Sequence, residues 1–345
     1  MMESTANNPI QNVLGPGLSD QMVTAAIEGS GYPLQLVVAS ELSDEFHLQE
    51  EWAFPDSEAV RTIDILATKE LYEWKEPQPR ARPSVSFVIE CKQSDLPYVF
   101  FLSGTTPWLR DFPLIAGLKT KYVTITSDDD PSTWSLDPLS IFDMSRHPFL
   151  TAEAPICMTL SKCVRKGSDL NLSGSDAYQS LIFPLTKAAL HLRDRQAPPK
   201  TAHYFDCDLI IPLAVVDAPM VGVYIGNDGA KNQLLPWVRV ARHQPLDGEH
   251  SNERGTVLGV DVVHKDFLAT YISQHAIPFA NAFATLALKH HHVLADAKGF
   301  VSGMGKGSWE NIEPRLATAG IESSGKRVKA IAKRISSSLS AKKGE

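Results

Sequence analysis

The chain has 345 residues, 43% hydrophobic and 21% charged, an ordinary globular composition that suffices for one large domain or two modest ones. Its net charge of −7 argues against non-specific coating of nucleic acid, an affinity that comes from Lys and Arg, but leaves room for a local basic cleft. Cys91, Cys157, Cys163 and Cys207 have no C-x-x-C spacing, which argues against structural zinc and a disulfide framework and makes a reducing cytoplasm the expected setting.

The first residues have neither a basic start nor an apolar core, so no signal peptide is expected, and residues 1–17 read as a loose polar arm. A short helix is expected after Leu18, capped by Ser19 or Asp20 and closed at Gly29–Gly31. A second follows from Tyr32, with Pro33 suited to its first turn. The run F-H-L-Q-E-E-W-A-F alternates, which predicts a strand with Phe46, Leu48, Glu50, Trp52 and Phe54 on one face and Glu51 on the other. Two further strands follow, R-T-I-D-I-L-A and S-V-S-F-V-I-E-C-K, joined by a proline-spaced excursion over Thr68–Pro83. Residues 103–173 are less regular, with a strand expected in P-I-C-M-T-L-S-K-C. An amphipathic helix is expected from Asp176 to about Arg195, stopped by Pro198 and Pro199. Strands are then expected in C-D-L-I-I-P-L-A-V-V-D, M-V-G-V-Y-I, P-W-V-R-V-A-R-H and V-L-G-V-D-V-V. The most apolar stretch, Leu209–Gly226, is broken by Pro212, Asp217 and Pro219, so it predicts two strands and not a membrane span. A long helix is expected over Lys265–His292, interrupted near Pro278. The main domain is expected to span 18–295. Residues 296–345 read as a tail, glycine-rich over Gly299–Ser308 and then basic, with seven Lys or Arg between Lys326 and Lys343.

The chemistry concentrates in the second and third strands. Side chains alternate along a strand, so Glu90 and Lys92 share a face, roughly 6–7 Å apart. The apolar run before Glu90 is of the buried kind, where an acid and an amine are costly unless partnered or used. Asp64 lies in a comparable apolar run on the neighbouring strand. Two carboxylates and a lysine are the parts of a divalent-metal site that activates water against a phosphodiester.

These residues resemble the PD-(D/E)XK, restriction-endonuclease-like nucleases, whose pattern is a helix followed by strands bearing D…(E/D)-x-K. I-D-I-L-A supplies Asp64 and V-I-E-C-K supplies Glu90 and Lys92. The wider text around them looks like Mrr-like, defence-associated prokaryotic members, and the resemblance covers about Gly31 to Leu102. It implies an α/β fold, a central mixed sheet flanked by helices, with an extended C-terminal half. It implies an endonuclease acting on DNA, with Asp64, Glu90 and the backbone carbonyl of Cys91 holding Mg²⁺ or Mn²⁺, and Lys92 orienting or helping to deprotonate the attacking water and countering transition-state charge. A homodimer and a protein partner from a defence system follow as expectations. Two departures stand out. Ile63 occupies the place of the proline that often precedes the aspartate, and Gln35 the place where the opening helix often carries a glutamate, leaving Glu41 or Glu50 as substitutes.

Other candidates weigh less. Gln93 could touch substrate or simply end a strand. Trp108, Arg110, Arg239, Arg242 and His243 could contact a backbone, although core packing for the tryptophan and a solvated strand face for the arginines are the better readings. The loop near Lys306 has the wrong spacing for a phosphate-binding loop and no strand is expected to lead into it. His290, His291 and His292 are consecutive and cannot share one helical face. Two rival functions remain, a nuclease fold kept as a binding module and a different metal-dependent phosphoesterase.

Overall fold

The structure is a computed structural model and describes residues 12–56, 59–74, 76–105, 107, 109, 111–127, 133–227, 229–244, 256–303 and 310–317. Trp108, Arg110, Lys306 and the basic segment 326–343 lie outside the described residues.

In chain order the strands are β1 (His47–Asp56), β2 (Ala59–Glu70), β3 (Ala81–Gln93), β4 (Tyr98–Leu102), β5 (Leu114–Ala116), β6 (Val123–Ser127), β7 (Thr133–Leu136), β8 (Ile156–Lys166), β9 (Asp169–Ser173), β10 (Phe205–Asp217), β11 (Met220–Gly226), β12 (Gly229–Leu234), β13 (Trp237–Gln244), β14 (Thr256–His264), β15 (Lys298–Val301) and β16 (Leu316–Ala317). The helices are α1 (Asp20–Glu28), α2 (Tyr32–Leu42), α3 (Pro138–Ile141), α4 (Pro148–Thr151), α5 (Gly174–Ala177), α6 (Phe183–Arg195), α7 (Leu268–Thr270), α8 (Ile277–Lys289) and α9 (His291–Asp296).

The fold is mixed α/β. A twelve-stranded sheet runs β1-β2-β3-β10-β14-β13-β8-β4-β11-β12, with β5 beside β10 and β9 beside β8. β1, β2 and β3 form an antiparallel meander, and β3 then pairs parallel with β10 along its whole length, Ala81↔Phe205 to Gln93↔Asp217. After short turns the same two chains continue as β4 and β11, again parallel to each other. One face of the sheet is covered by α2 and α8, through Leu34, Val38, Phe279 and Phe283 against Phe87 and Ile89. The other is covered by α6, through Leu185, Ala188, Ala189 and Leu192 against Trp52, Phe54 and Val88. The length of β3 and its burial on both faces explain the unbroken apolar run before Glu90.

Several local outcomes follow from named residues. The Ser19 hydroxyl accepts from the N–H of Met22 and caps α1, as expected. Both long helices are entered through a π segment just before a proline, Tyr178–Ile182 before Pro184 and Tyr271–Ala276 before Pro278. A proline inside a helix removes one N–H donor and crowds the preceding turn, and a wider turn accommodates both. The helical run therefore continues through Pro278 to Lys289.

Three expectations are corrected. The excursion between β2 and β3 is shorter than Thr68–Pro83, because the ladder extends to Glu70↔Ser84. The chain after residue 295 does not begin as a tail. β15 and β16 join β6 and β7 in a second, four-stranded sheet, and β15 is a strand leading straight into the glycine-rich segment. Finally, Phe46 and Leu48 pack on the α2–α8 side, whereas Trp52 and Phe54 pack on the α6 side. The four do not share a face, because Glu51 between them has φ +48° and offsets the alternation of β1.

Candidate active site

The site forms where the β2–β3 ladder opens. Pairing runs from Glu70↔Ser84 down to Ile65↔Ile89 and stops there. The next backbone donor on that edge of β3 is the N–H of Cys91, and the Asp64 carboxylate takes it, Oδ2 accepting at 2.6 Å. The aspartate thus stands where a strand would otherwise continue. A strand residue directs its N–H and C=O to the same edge, so the Cys91 carbonyl faces the same gap. Glu90 and Lys92 flank Cys91 on the α6 side, and the Lys92 ammonium is ion-paired with Glu90 Oε1. Glu90 is buried, and its Oε2 is shielded from water without a hydrogen-bond partner. Lys92 keeps about a third of its side chain exposed (33%). Asp64, Glu90, Lys92 and the Cys91 backbone therefore meet at one end of β3.

Burial dominates the electrostatics. It pushes Glu90 up to about 7, Lys92 pulling down against it and the charges of Asp64 and Glu51 pushing further up. Burial also raises Asp64, opposed by the Cys91 N–H and by Lys92 and reinforced by Glu51. For Lys92, burial pulls downward, but the charge of Glu90 and its hydrogen bond outweigh it and hold the amine above its ordinary value. The thiol of Cys91 is held well above its usual range by burial and by the two carboxylates, so it does not serve as a thiolate ligand.

The other candidates are elsewhere. Gln35 is buried, and its Nε2 donates to the backbone carbonyl of Asp64 at 3.1 Å. It braces the strand that carries the aspartate. Glu41 is directed to the backbone of Ala269 and is raised by partial burial. Glu50 is exposed opposite Ile65. Gln93 alternates away from Lys92 and lines an open cavity of about 800 Å³ with Asp217, His264 and Phe267. The carboxylate whose charge reaches both Asp64 and Glu90 is Glu51. Alternation places it on the wrong face, and nothing in the sequence signals the positive φ that brings it round.

Arg239 corrects both readings offered for it. It is completely buried, its guanidinium forked onto Asp261 with Nε–Oδ1 at 2.7 Å and Nη2–Oδ2 at 2.8 Å. Arg242 is half-buried, donates to the carbonyl of Met158 and lies over the Tyr178 ring. His290 meets Glu313, and His291 accepts from the N–H of Arg80.

Among the described residues, no group of three or more His, Cys, Asp or Glu side chains is arranged to hold a metal ion. The donor atoms are nevertheless of the right kind for a hard cation. The orphaned Oε2 of Glu90, the second oxygen of Asp64 and the Cys91 carbonyl are oxygen ligands at one strand end, and a divalent ion would give the buried Oε2 the partner it lacks. No family model, no curated protein and no solved structure matches this chain.

Proposed function

We propose that the chain is a Mg²⁺- or Mn²⁺-dependent endonuclease that hydrolyses phosphodiester bonds of DNA on a restriction-endonuclease-like core. The observation that carries this reading is the meeting of Asp64, Glu90 and Lys92 where β2 and β3 part, with the Asp64 carboxylate on the Cys91 N–H. Asp64, Glu90 and the Cys91 carbonyl would hold the ion, and Glu51 adds a nearby negative charge that favours a cation. The ion supplies Lewis acidity toward the phosphoryl oxygen and toward a bound water. Lys92, which Glu90 holds above its ordinary value, would orient the attacking water and counter charge on the pentavalent phosphorus. The setting, a prokaryotic defence or restriction system in the cytoplasm, rests on the resemblance of R-T-I-D-I-L-A and V-I-E-C-K alone.

A second reading, a nuclease fold kept as a binding module, is favoured by one observation. Gln35, at the place where the opening helix often carries a glutamate, donates its amide to the Asp64 backbone. Incubation of supercoiled plasmid with the protein in Mg²⁺ or Mn²⁺, beside Lys92→Ala, separates the two. Nicking or linearisation that disappears in a folded Lys92→Ala supports the enzyme. DNA binding without cleavage by either protein supports the module.

A further inference from the structure

The helical segment that begins at α5 and continues through the π turn into α6 packs on the face of β3 that bears Val88, Glu90 and Lys92, and it carries a row of rings under cations. Arg61 lies over the Phe183 ring at 5.2 Å, and Lys187 over the same ring at 5.7 Å. Phe183 neighbours Tyr178 at 6.0 Å, and Arg242 lies over Tyr178 at 4.8 Å. Between those two rings in sequence, Ser180 shares a hydrogen bond with the hydroxyl of Tyr98, whose ring lies under Lys162 at 5.5 Å. The Lys92 ammonium acts on Tyr98 as well. Four cations from β2, α6, β8 and β13 therefore line this helical segment and Tyr98, the ring next to the candidate catalytic lysine, in a chain whose net charge is −7. The face is the right one, because Arg61, two residues from Ile63, shares its face, and Ile63 packs on the α6 side with Val88, the face that Glu90 and Lys92 share.

Two features separate this row from a solvated surface. Arg61 and Lys187 converge on a single carboxylate, Asp56, at 2.7 and 3.7 Å, so that among the described residues two cations share one acid there. Each cation is also held over an aromatic ring, which fixes its direction before any ligand arrives. The π turn over Tyr178–Ile182 sets Tyr178 and Phe183 at 53° to each other instead of stacking them.

We infer that this row is the track for one strand of a DNA substrate, Arg61 and Lys187 taking phosphates on one side of the scissile bond and Lys162 and Arg242 on the other. The inference takes the position of the scissile bond from the nuclease reading above. Steps of 5.2, 6.0 and 4.8 Å link Arg61 to Arg242. Several successive phosphates cover such a span, at ~3.4 Å of axis per charge on one strand. Backbone contacts of this kind carry no base preference, so the track predicts binding that tolerates sequence and falls with salt.

The test is the salt dependence of binding, measured by fluorescence anisotropy of a labelled duplex oligonucleotide with Ca²⁺ in place of Mg²⁺. Arg61→Gln, Lys162→Gln and Arg242→Gln should each lower the slope of log K against log salt by about one and weaken binding on unrelated sequences alike. Arg242→Lys keeps the charge and should keep the slope, and thermal melting shows which variants fold. Arg146→Gln, at a residue 81% exposed and paired with Glu310, is the control and should bind as the parent does. Parental slopes in the folded Arg61 and Lys162 variants, or no binding by the parent, would overturn the track. A parent that binds with the full slope but does not cut in Mg²⁺ keeps the track and removes the nuclease. A parent that cuts while the variants bind as it does removes the track and keeps the nuclease.

Discussion

Two acid–base pairs sit in the same sheet and have opposite characters. Arg239 and Asp261 face each other across β13 and β14, both at 0% exposure. Each guanidinium nitrogen and both carboxylate oxygens have a partner. The guanidinium forks onto both carboxylate oxygens and also donates to the Phe149 carbonyl, and Tyr271 donates to Asp261 Oδ2 at 2.7 Å. Phe112 and Phe149 lie against the guanidinium at 4.1 and 4.6 Å. Glu90 and Lys92, by contrast, make one contact, leave Oε2 orphaned and keep the lysine partly in water. A satisfied buried pair holds strands together, whereas an unsatisfied one leaves an oxygen open to a ligand.

The largest expected effect is at the satisfied pair. Arg239→Ala leaves Asp261 buried and uncompensated, and should cost about 3–5 kcal/mol of stability. Chemical denaturation monitored by tryptophan fluorescence measures it. A loss below about 1 kcal/mol would show that the pair is dispensable and would erase the contrast with the other one.

Next is Lys92→Ala. Removing the group that counters charge on the reacting phosphate should lower plasmid cleavage by about 10²–10³-fold. Stability should change little, because Lys92 is partly exposed and Glu90, already raised to about 7, can take up a proton when its partner leaves. Collapse of the fold in Lys92→Ala would make this pair structural after all.

These two pairs also show how much the sequence could disclose. The shared face of Glu90 and Lys92 follows from alternation, and the apolar runs around them followed from burial on both sides of β3. Most strands of the large sheet, α2 and α6 were likewise legible from periodicity and caps, whereas the interruption expected near Pro278 is absent, because the π segment carries the helix through the proline. Arg239 was not. V-R-V-A-R alternates like an edge strand, and only the partner Asp261, brought opposite by the β13–β14 register, makes its burial tolerable. Glu51 was hidden by its left-handed backbone, which no residue-type preference of glutamate predicts. The short strands β5, β15 and β16 carry too few residues for a period to show, whereas β6 does alternate, V-T-I-T-S, inside a stretch that otherwise reads as irregular.

The third prediction probes the packing that isolates the satisfied pair. A Cβ on Gly259 would lie 2.6 Å from the Phe112 ring, the ring that covers Arg239. Gly259→Ala should therefore cost about 1–3 kcal/mol by overpacking, visible as a lower melting temperature with cleavage per folded molecule unchanged. A neutral substitution would show that the ring can move and that the guanidinium does not depend on it.

The fourth is the pH dependence of metal binding. Glu90 is raised from its ordinary carboxylate value to about 7, so between those values the folded state holds a proton that the unfolded chain has released. The group's contribution to stability is therefore highest at low pH and declines as pH rises through that window. A divalent ion needs the ionised form and displaces that proton. The upward shift in melting temperature given by Mg²⁺ or Mn²⁺ should be small near pH 6 and larger near pH 8. A shift independent of pH would mean that the ion binds away from Glu90.

The smallest effect is expected from Glu51→Gln. The charge of Glu51 is the weakest of the influences on both Asp64 and Glu90, and in each case it raises the neighbour. Removing it should let Glu90 ionise more readily, so the rise of metal-induced stabilisation with pH should move to lower pH. Two roles then give different readouts. If Glu51 acts only through its field, the variant reaches the same plateau of stabilisation and cleavage at high pH, displaced along the pH axis. If its carboxylate also holds the ion, the plateau itself falls and more Mg²⁺ is needed for half-maximal cleavage at every pH. A profile that superimposes on the parent in both position and height would detach Glu51 from the site. The left-handed turn at that residue would then serve only to pass β1 from one core to the other.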